Sequence, residues 1–298
     1  MVISIPTRPL AGSSGSYSAD DLSFLLHEKS RSYHWAGAQS LSIKWMPSGE
    51  ATYRVGRGRF RVDSSVYLLV NNQQPYSIEI EAPAPVESFC VFFAPSMAED
   101  VLRSLRLTHD RLLDDPCCRT EPVFFERLYP QDTAVSPLLF SLKDECRGGP
   151  PEPGRVEEHL HQLLEALVCV HQGVQREVEL LAAVRAATRQ ELYRRLCHAR
   201  DYLDACLEEP LTLADAASVA LLSPHHFLRL FKELYGTTPH QYLLQRRLER
   251  ARHLLLETDR TVTEISVAVG FCSLGHFSST FRQRYGTSPA QLRREARF

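Results

Sequence analysis

The segment HHFLRLFKELYGTTPHQYL, starting at His225, returns as GHFSSTFRQRYGTSPAQLR from Gly275. His226, Phe227, Phe231, Tyr235, Gly236, Thr237 and Pro239 recur 50 residues on as His276, Phe277, Phe281, Tyr285, Gly286, Thr287 and Pro289. A phrase written twice constrains the fold strongly, because both copies must build the same local shape. In each copy the phenylalanines stand at i and i+4 and share one helix face. Gly236 and Gly286 fall where a glycine accepts the left-handed conformation that ends a helix, and Pro239 and Pro289 open the next segment. Upstream, 214–219 and 264–269 read as short first helices; the second helices start at Pro224, capped by Ser223, and at Ser273. Two short helices joined by a tight turn make a helix-turn-helix, whose second helix fits the major groove of DNA. The turns align one residue out of step, which pairs Ala217 with Ser266 at a crossing that admits only a small side chain. A solenoid needs at least about three repeats, so two copies do not make one.

The charge supports a nucleic-acid partner. From 211 to 298 the chain carries 12 Lys/Arg against 7 Asp/Glu, while the rest carries 22 against 29. An acidic body with a basic end is the asymmetry of a protein that meets a polyanion at that end.

On these residues the segment from about Gln190 to Arg297 resembles the DNA-binding domain of the AraC/XylS family of bacterial transcription regulators. The family pattern E-I-A-x-x-x-G-F, then a phenylalanine-rich helix ending F-x-x-x-x-G-x-x-P, is written here as EISVAVGF…HFSSTFRQRYGTSP. The joining helix RRLERARHLL also matches, with Ala251, Leu254 and Leu255 inward. The resemblance implies base contacts on the first recognition helix near His225, Leu228 and Arg229. The guanidinium of Arg229 suits bidentate bonding to guanine, with a phosphate clamp as the other reading. On the second helix the groove-facing residues are Leu274, Gly275, Ser278 and Ser279, poorer in hydrogen-bonding reach than the family's pattern. Ser223, His226, Lys232, Arg246, Arg247, Ser273, His276 and Arg282 are the phosphate-contact candidates. The implied partners are double-stranded promoter DNA, RNA polymerase and a small-molecule effector. A homodimer is also expected, and activation rather than repression.

The first half reads differently. Residues 40–93 hold short segments rich in β-branched and aromatic residues, LSIKW, ATYRVGRGRFRV, SSVYLLV, YSIEIEA and VESFCVFFA. Turn formers stand between them at Pro47-Ser48-Gly49, Gly56-Arg57-Gly58, Asn71-Asn72 and Pro83-Ala84-Pro85. The strands resemble the cupin-like sensor domains often fused to this DNA-binding module. Trp45, Tyr53, Tyr67, Tyr76 and Phe89 are candidate pocket residues, with core packing as the alternative for each. Arg54, Arg59 and Arg61 invite an anion or form a solvated strand face. No histidine lies between His34 and His109, so neither a metal site nor a cupin-type enzyme is expected, and no cofactor.

The expected fold is therefore α+β and multidomain. An antiparallel β sandwich or barrel fills 1–153 behind a Ser/Gly-rich N-terminal tail, a helical connector 154–188, and an all-α domain with two helix-turn-helix units 189–298. RGGPPEPG, from Arg147 to Gly154, marks the first boundary. Leu160, Leu163, Leu164 and Leu167 form a stripe that either meets a second copy or packs on its own β domain. No run approaches the roughly 18 apolar residues of a membrane helix, no secretory signal opens the chain, and the eight cysteines show no C-x-x-C. A cytoplasmic, non-enzymatic regulator follows, with a ligand-independent regulator, whose β domain only dimerises or binds a protein, as the alternative. The vicinal Cys117–Cys118 pair could sense oxidants or soft metals.

Overall fold

A computed structural model describes residues 2–5, 22–106, 123–146, 152–182 and 185–296. The N-terminal tail, Cys117–Cys118 and most of Arg147–Gly154 lie outside these residues. The chain divides into two compact units, Met1–Ala182 and Ala183–Phe298.

In the first unit an eight-stranded antiparallel sheet curls into a nearly closed barrel, in the order β1-β2-β7-β3-β6-β8 with β4 and β5 branching from β7. The strands are β1 (Val2–Ile5), β2 (Ser23–Gly37), β3 (Ser42–Ser48), β4 (Ala51–Val55), β5 (Gly58–Val62), β6 (Val66–Val70), β7 (Tyr76–Phe92) and β8 (Leu128–Pro130). β7 is the spine. It pairs with β2 along both halves, with β4 by its first half and with β3 by its second.

Two expectations change here. The polar run of β2 was not legible as a strand, yet it is 15 residues long. Pro83-Ala84-Pro85 does not break the sheet, since β7 runs straight through it. The β2–β7 register jumps from Ser30↔Val86 to Ser32↔Glu81, so the prolines fall in a stretch where the ladder asks no N–H of them.

Strand parity sorts the side chains. Met46, Tyr53, Val55, Phe60, Leu68, Val70, Ile78 and Ile80 fill the barrel. Trp45, Tyr67 and Phe89 are register partners across β3, β6 and β7 and share the opposite face. There Trp45 packs on Phe140 of α2 (Ser136–Glu145), ring centroids 5.0 Å apart, and Tyr67 stacks on Tyr129.

α1 (Pro95–Arg106) and α3 (Pro153–Glu179) complete this unit. Leu160, Leu163, Leu164 and Leu167 of α3 are at most 1% exposed. That stripe is consumed within its own unit, so it is not a free face for a second copy. The helix expected as a connector, α3, falls within the first compact unit, Met1–Ala182.

The second unit is all helical: α4 (Ala186–Ala205), α5 (Leu213–Val219), α6 (Pro224–Tyr235), α7 (Pro239–Glu257), α8 (Val262–Ala268), α9 (Leu274–Tyr285) and α10 (Pro289–Ala296). In α4 the buried face is Tyr193, Leu196, Cys197, Ala199 and Leu203, with Asp201 buried beside them. Both first helices of the repeat, α5 and α8, open on a capping box, Thr212 with Asp215 and Thr261 with Glu264.

Candidate functional site

The repeated phrase builds two near-identical ladders. Phe227 and Phe231 lie 5.4 Å apart at 60°, Phe277 and Phe281 5.6 Å apart at 58°. The next rungs, Phe231–Tyr235 and Phe281–Tyr285, stand at 4.6 Å and 4.7 Å. All four phenylalanines are fully buried, and Ala217 and Ser266 are buried at the helix crossings. Gly236 and Gly286 end α6 and α9 at φ 70° and 76°. Each ladder holds one face of its helix to the core and leaves the other to solvent.

On α6 that outer face carries His225, His226, Arg229 and Lys232, with Ser223 at its start and Leu228 half-buried beside them. The Arg229 guanidinium is 3.8 Å from Glu233 and its side chain is 64% exposed, so it can exchange that loose contact for another. Ser223 and Ser273 accept the N–H of His226 and His276, each at 3.4 Å. These serines cap their helices, and both histidines are exposed at the N-terminal turns where anions are favoured. On α9 the outer face holds Leu274, Gly275, His276, Ser279 and Arg282, with Ser278 half-buried. The Ser279 hydroxyl donates to the His276 carbonyl at 3.0 Å, turned onto its own helix. Gln283 is also exposed here, one position past Arg282. Its amide can both donate and accept, and the 50-residue register, which sets it opposite Glu233, was the signal for it.

Arg246 and Arg247, expected on phosphates, are engaged inside the unit. Arg246 donates to Asp204 at 2.8 Å and to Glu249 at 2.6 Å. Arg247 donates to the carbonyls of Leu207 and Glu209, both at 2.7 Å. A Cβ on Gly270 would lie 2.8 Å from that guanidinium and 2.5 Å from the Leu207 carbonyl oxygen. Arg247 thus braces α7 to the segment after α4, and Gly270, at φ +82°, lets the turn of the second unit close against the same point. Gly270→Ala should destabilise this unit by more than the about 1–2 kcal/mol of a left-handed alanine alone, whereas Gly286→Ala, with nothing within 4 Å of its Cβ, should stay within it. Urea unfolding of both variants checks this.

The barrel interior holds a second site, a cavity of ≈ 130 Å³. Of the five expected pocket residues, Tyr53 and Tyr76 line it; Trp45, Tyr67 and Phe89 lie on the other face of the sheet. β2 contributes Phe24, Leu26, Glu28 and Ser30 before its bulge and Tyr33 and Trp35 after it. The irregularity shifts the inward parity from even to odd numbers.

Sequence reasoning missed Lys44, which is 1% exposed on this wall. Its ammonium donates to the Tyr76 hydroxyl at 2.9 Å and sits 3.6 Å from the centre of the Phe92 ring. Burial draws it down from 10.5 to about 8. Burial likewise pushes the Tyr53 and Tyr76 hydroxyls and the Cys90 thiol upward, so they stay neutral. Arg54, Arg59 and Arg61 are not on this wall. Arg61 forks onto Glu50 at 2.7 and 2.9 Å, and Arg54 lies 3.8 Å from Glu79.

Among the described residues no group of three or more His, Cys, Asp or Glu could hold a metal ion, and no helix is long and apolar enough to cross a membrane.

Comparison with known proteins assigns both units. Residues 26–164 match the model of an AraC-like ligand binding domain, and residues 216–295 match that of a helix-turn-helix domain. The chain is similar to the probable transcriptional regulator LumQ of Photobacterium leiognathi, 37% identical over 73 residues, which cover 24% of this chain and 29% of that one. It is similar to the HTH-type transcriptional activator RhaS of Escherichia fergusonii, 33% identical over 150 residues, 44% of this chain and 53% of the relative. The chain therefore spans about half of the latter's length and under a third of the former's. Among solved structures, a transcriptional regulator with an AraC-type DNA-binding domain from Chromobacterium violaceum is 37% identical, covering 38% of this chain and 96% of that chain, TM-score 0.33.

Proposed function

The chain belongs to the AraC family of transcription regulators, and from that premise we propose that it is a sequence-specific DNA-binding regulator whose barrel takes up a small-molecule effector. One observation carries the DNA reading. Two solvent-facing helices are hung from superimposable aromatic ladders, so the chain presents two reading surfaces in one unit. The target is double-stranded promoter DNA in the cytoplasm, and the chain acts as an activator that contacts RNA polymerase rather than as an enzyme. The homodimer uses a face other than the leucine stripe of α3, which is buried within its own unit. The cavity favours an effector over a barrel that only dimerises, because Lys44 and a largely aromatic wall line a space of ≈ 130 Å³ inside the barrel.

The labour is divided unequally. Arg229 and His225 can reach base edges, whereas Ser279 bonds its own helix and Gly275 offers no side chain. Arg229→Ala should cost on the order of 1–3 kcal/mol of binding and relax choice at one base pair. Ser279→Ala should leave sequence preference unchanged. With Arg246 and Arg247 engaged internally, the phosphate contacts fall to Ser223, His226, Lys232, Ser273, His276 and Arg282. Selection of binding sites from random DNA, with the wild type and both variants, tests the reading. Two unlike elements about 34 Å apart, the sharper under α6, are the expected result. A full chain that selects no sequence and shows no salt-sensitive DNA binding refutes it.

A further inference from the structure

We propose that the barrel cavity is a site for a small organic monocarboxylate, its carboxylate paired with Lys44 and its apolar body set among Tyr33, Trp35, Tyr53 and Tyr76. This rests on the reading of the barrel as the effector unit and gives that effector a chemistry.

Lys44 is the key. Its ammonium is buried on the cavity wall, and among the described residues no carboxylate pairs with it. A buried charge without a counter-charge is costly, and its contacts with the Tyr76 hydroxyl and the Phe92 ring offset only part of that. A ligand that brings the missing negative charge recovers the rest, while a cationic ligand is repelled by the resident ammonium. Tyr76 accepts from Lys44, which leaves its own hydroxyl proton to donate to the same carboxylate.

The walls set the remaining limits. Glu28 lines the cavity too, so a second negative charge on the ligand meets repulsion. Trp35 and Tyr76 pack on each other, ring centroids 4.8 Å apart, and with Tyr33 and Tyr53 give the wall an aromatic surface for a short apolar body. The volume of ≈ 130 Å³ is close to the roughly 150 Å³ of an apolar protein cavity that holds benzene. One ring with a carboxylate, or a chain of similar bulk, is the size that fits.

Calorimetric titration of the full chain at pH 7 tests this with benzoate, hexanoate, benzyl alcohol and phthalate. Benzoate or hexanoate should bind. Benzyl alcohol should bind about tenfold or more weakly, as loss of a charge-assisted contact dictates, and phthalate should not bind. Lys44→Met should weaken the monocarboxylates by a similar factor, with unchanged circular dichroism showing that the barrel is intact. Three results overturn the proposal: neither monocarboxylate binds, benzyl alcohol binds as tightly as benzoate, or Lys44→Met binds them as the wild type does. Site selection from random DNA on the same preparation keeps the two readings apart. Sequence-specific DNA binding without carboxylate binding rejects only the ligand, and the converse rejects only the regulator.

Discussion

Phe277→Ala should lower the stability of the DNA-reading unit by about 3–5 kcal/mol. The ring is fully buried among Leu248, Ala251, Leu255, Ile265 and Val269, with Phe271 at 5.1 Å and Phe281 at 5.6 Å. Removing it leaves a void that these neighbours, fixed on α7, on α8, on the turn after it and on α9 itself, fill only in part. A domain holds on the order of 5–15 kcal/mol in all, so this one truncation removes a large share. Phe227→Ala should cost a similar amount, because the repeat gives it the same ladder. Neither ring reaches the solvent-facing side of its helix, so any loss of DNA binding follows from unfolding. The measurement is the urea midpoint of full-length wild type and variants, followed by DNA binding below that midpoint. A shift worth less than about 1 kcal/mol, far below the range for Phe→Ala, would show that the ladder is not the scaffold.

Lys44→Met should have the opposite sign and stabilise the free protein at pH 7, because it removes a buried charge that has no counter-charge among the described residues. The lysine titrates near 10.5 when exposed and at about 8 in the fold, because burial disfavours its charged form. Below about pH 8 the folded chain carries the full penalty of that buried charge. Between about 8 and 10.5 the unfolded chain binds the extra proton, so wild-type stability rises with pH across this window. At 1.36 kcal/mol per pH unit the rise is on the order of 3 kcal/mol. Lys44→Met lacks it. The difference between wild-type and variant Tm from pH 7 to 10 reads this ammonium together with the Cys90 thiol it acts on, while Tyr33, Tyr53 and Tyr76, all with raised values, are common to both chains. A difference that does not shrink as pH rises would refute the assignment.

The C-terminal unit was readable because its scaffold residues repeat and each has one mechanical task. Phe227, Gly236 and Pro239 announce face, end and restart, and their copies say it again. The caps were equally open to reading in Thr212-x-x-Asp215 and Thr261-x-x-Glu264, whose sequence pattern is that of a capping box. The barrel was harder. In LSIKW the alternation suggests Ile43 and Trp45 inward and Lys44 outward. Both faces of β3 are in fact buried, one in the barrel and one under α2, so a polar residue does not mark the solvent side. For the same reason Trp45, Tyr67 and Phe89 were placed in a pocket they do not line. β2 was hidden by its charges and by a parity that changes at Ser30. Arg247 defeated composition altogether, because nothing local says that its partners are carbonyls 38 to 40 residues upstream.

The brace made by Arg247 has a meaning for the DNA. α7 is 19 residues long, about 28 Å at 1.5 Å per residue, and its ties to Leu207, Glu209 and the Gly270 turn hold both helix-turn-helix units as a gauge of fixed opening. One turn of straight duplex is about 34 Å. Where gauge and duplex disagree, the duplex is the more elastic body, since bending a site of 20–30 base pairs by 40–90° costs on the order of 1–6 kcal/mol. Sites selected from random DNA should then be enriched between the two elements in base steps that kink easily, although no side chain is expected to touch them.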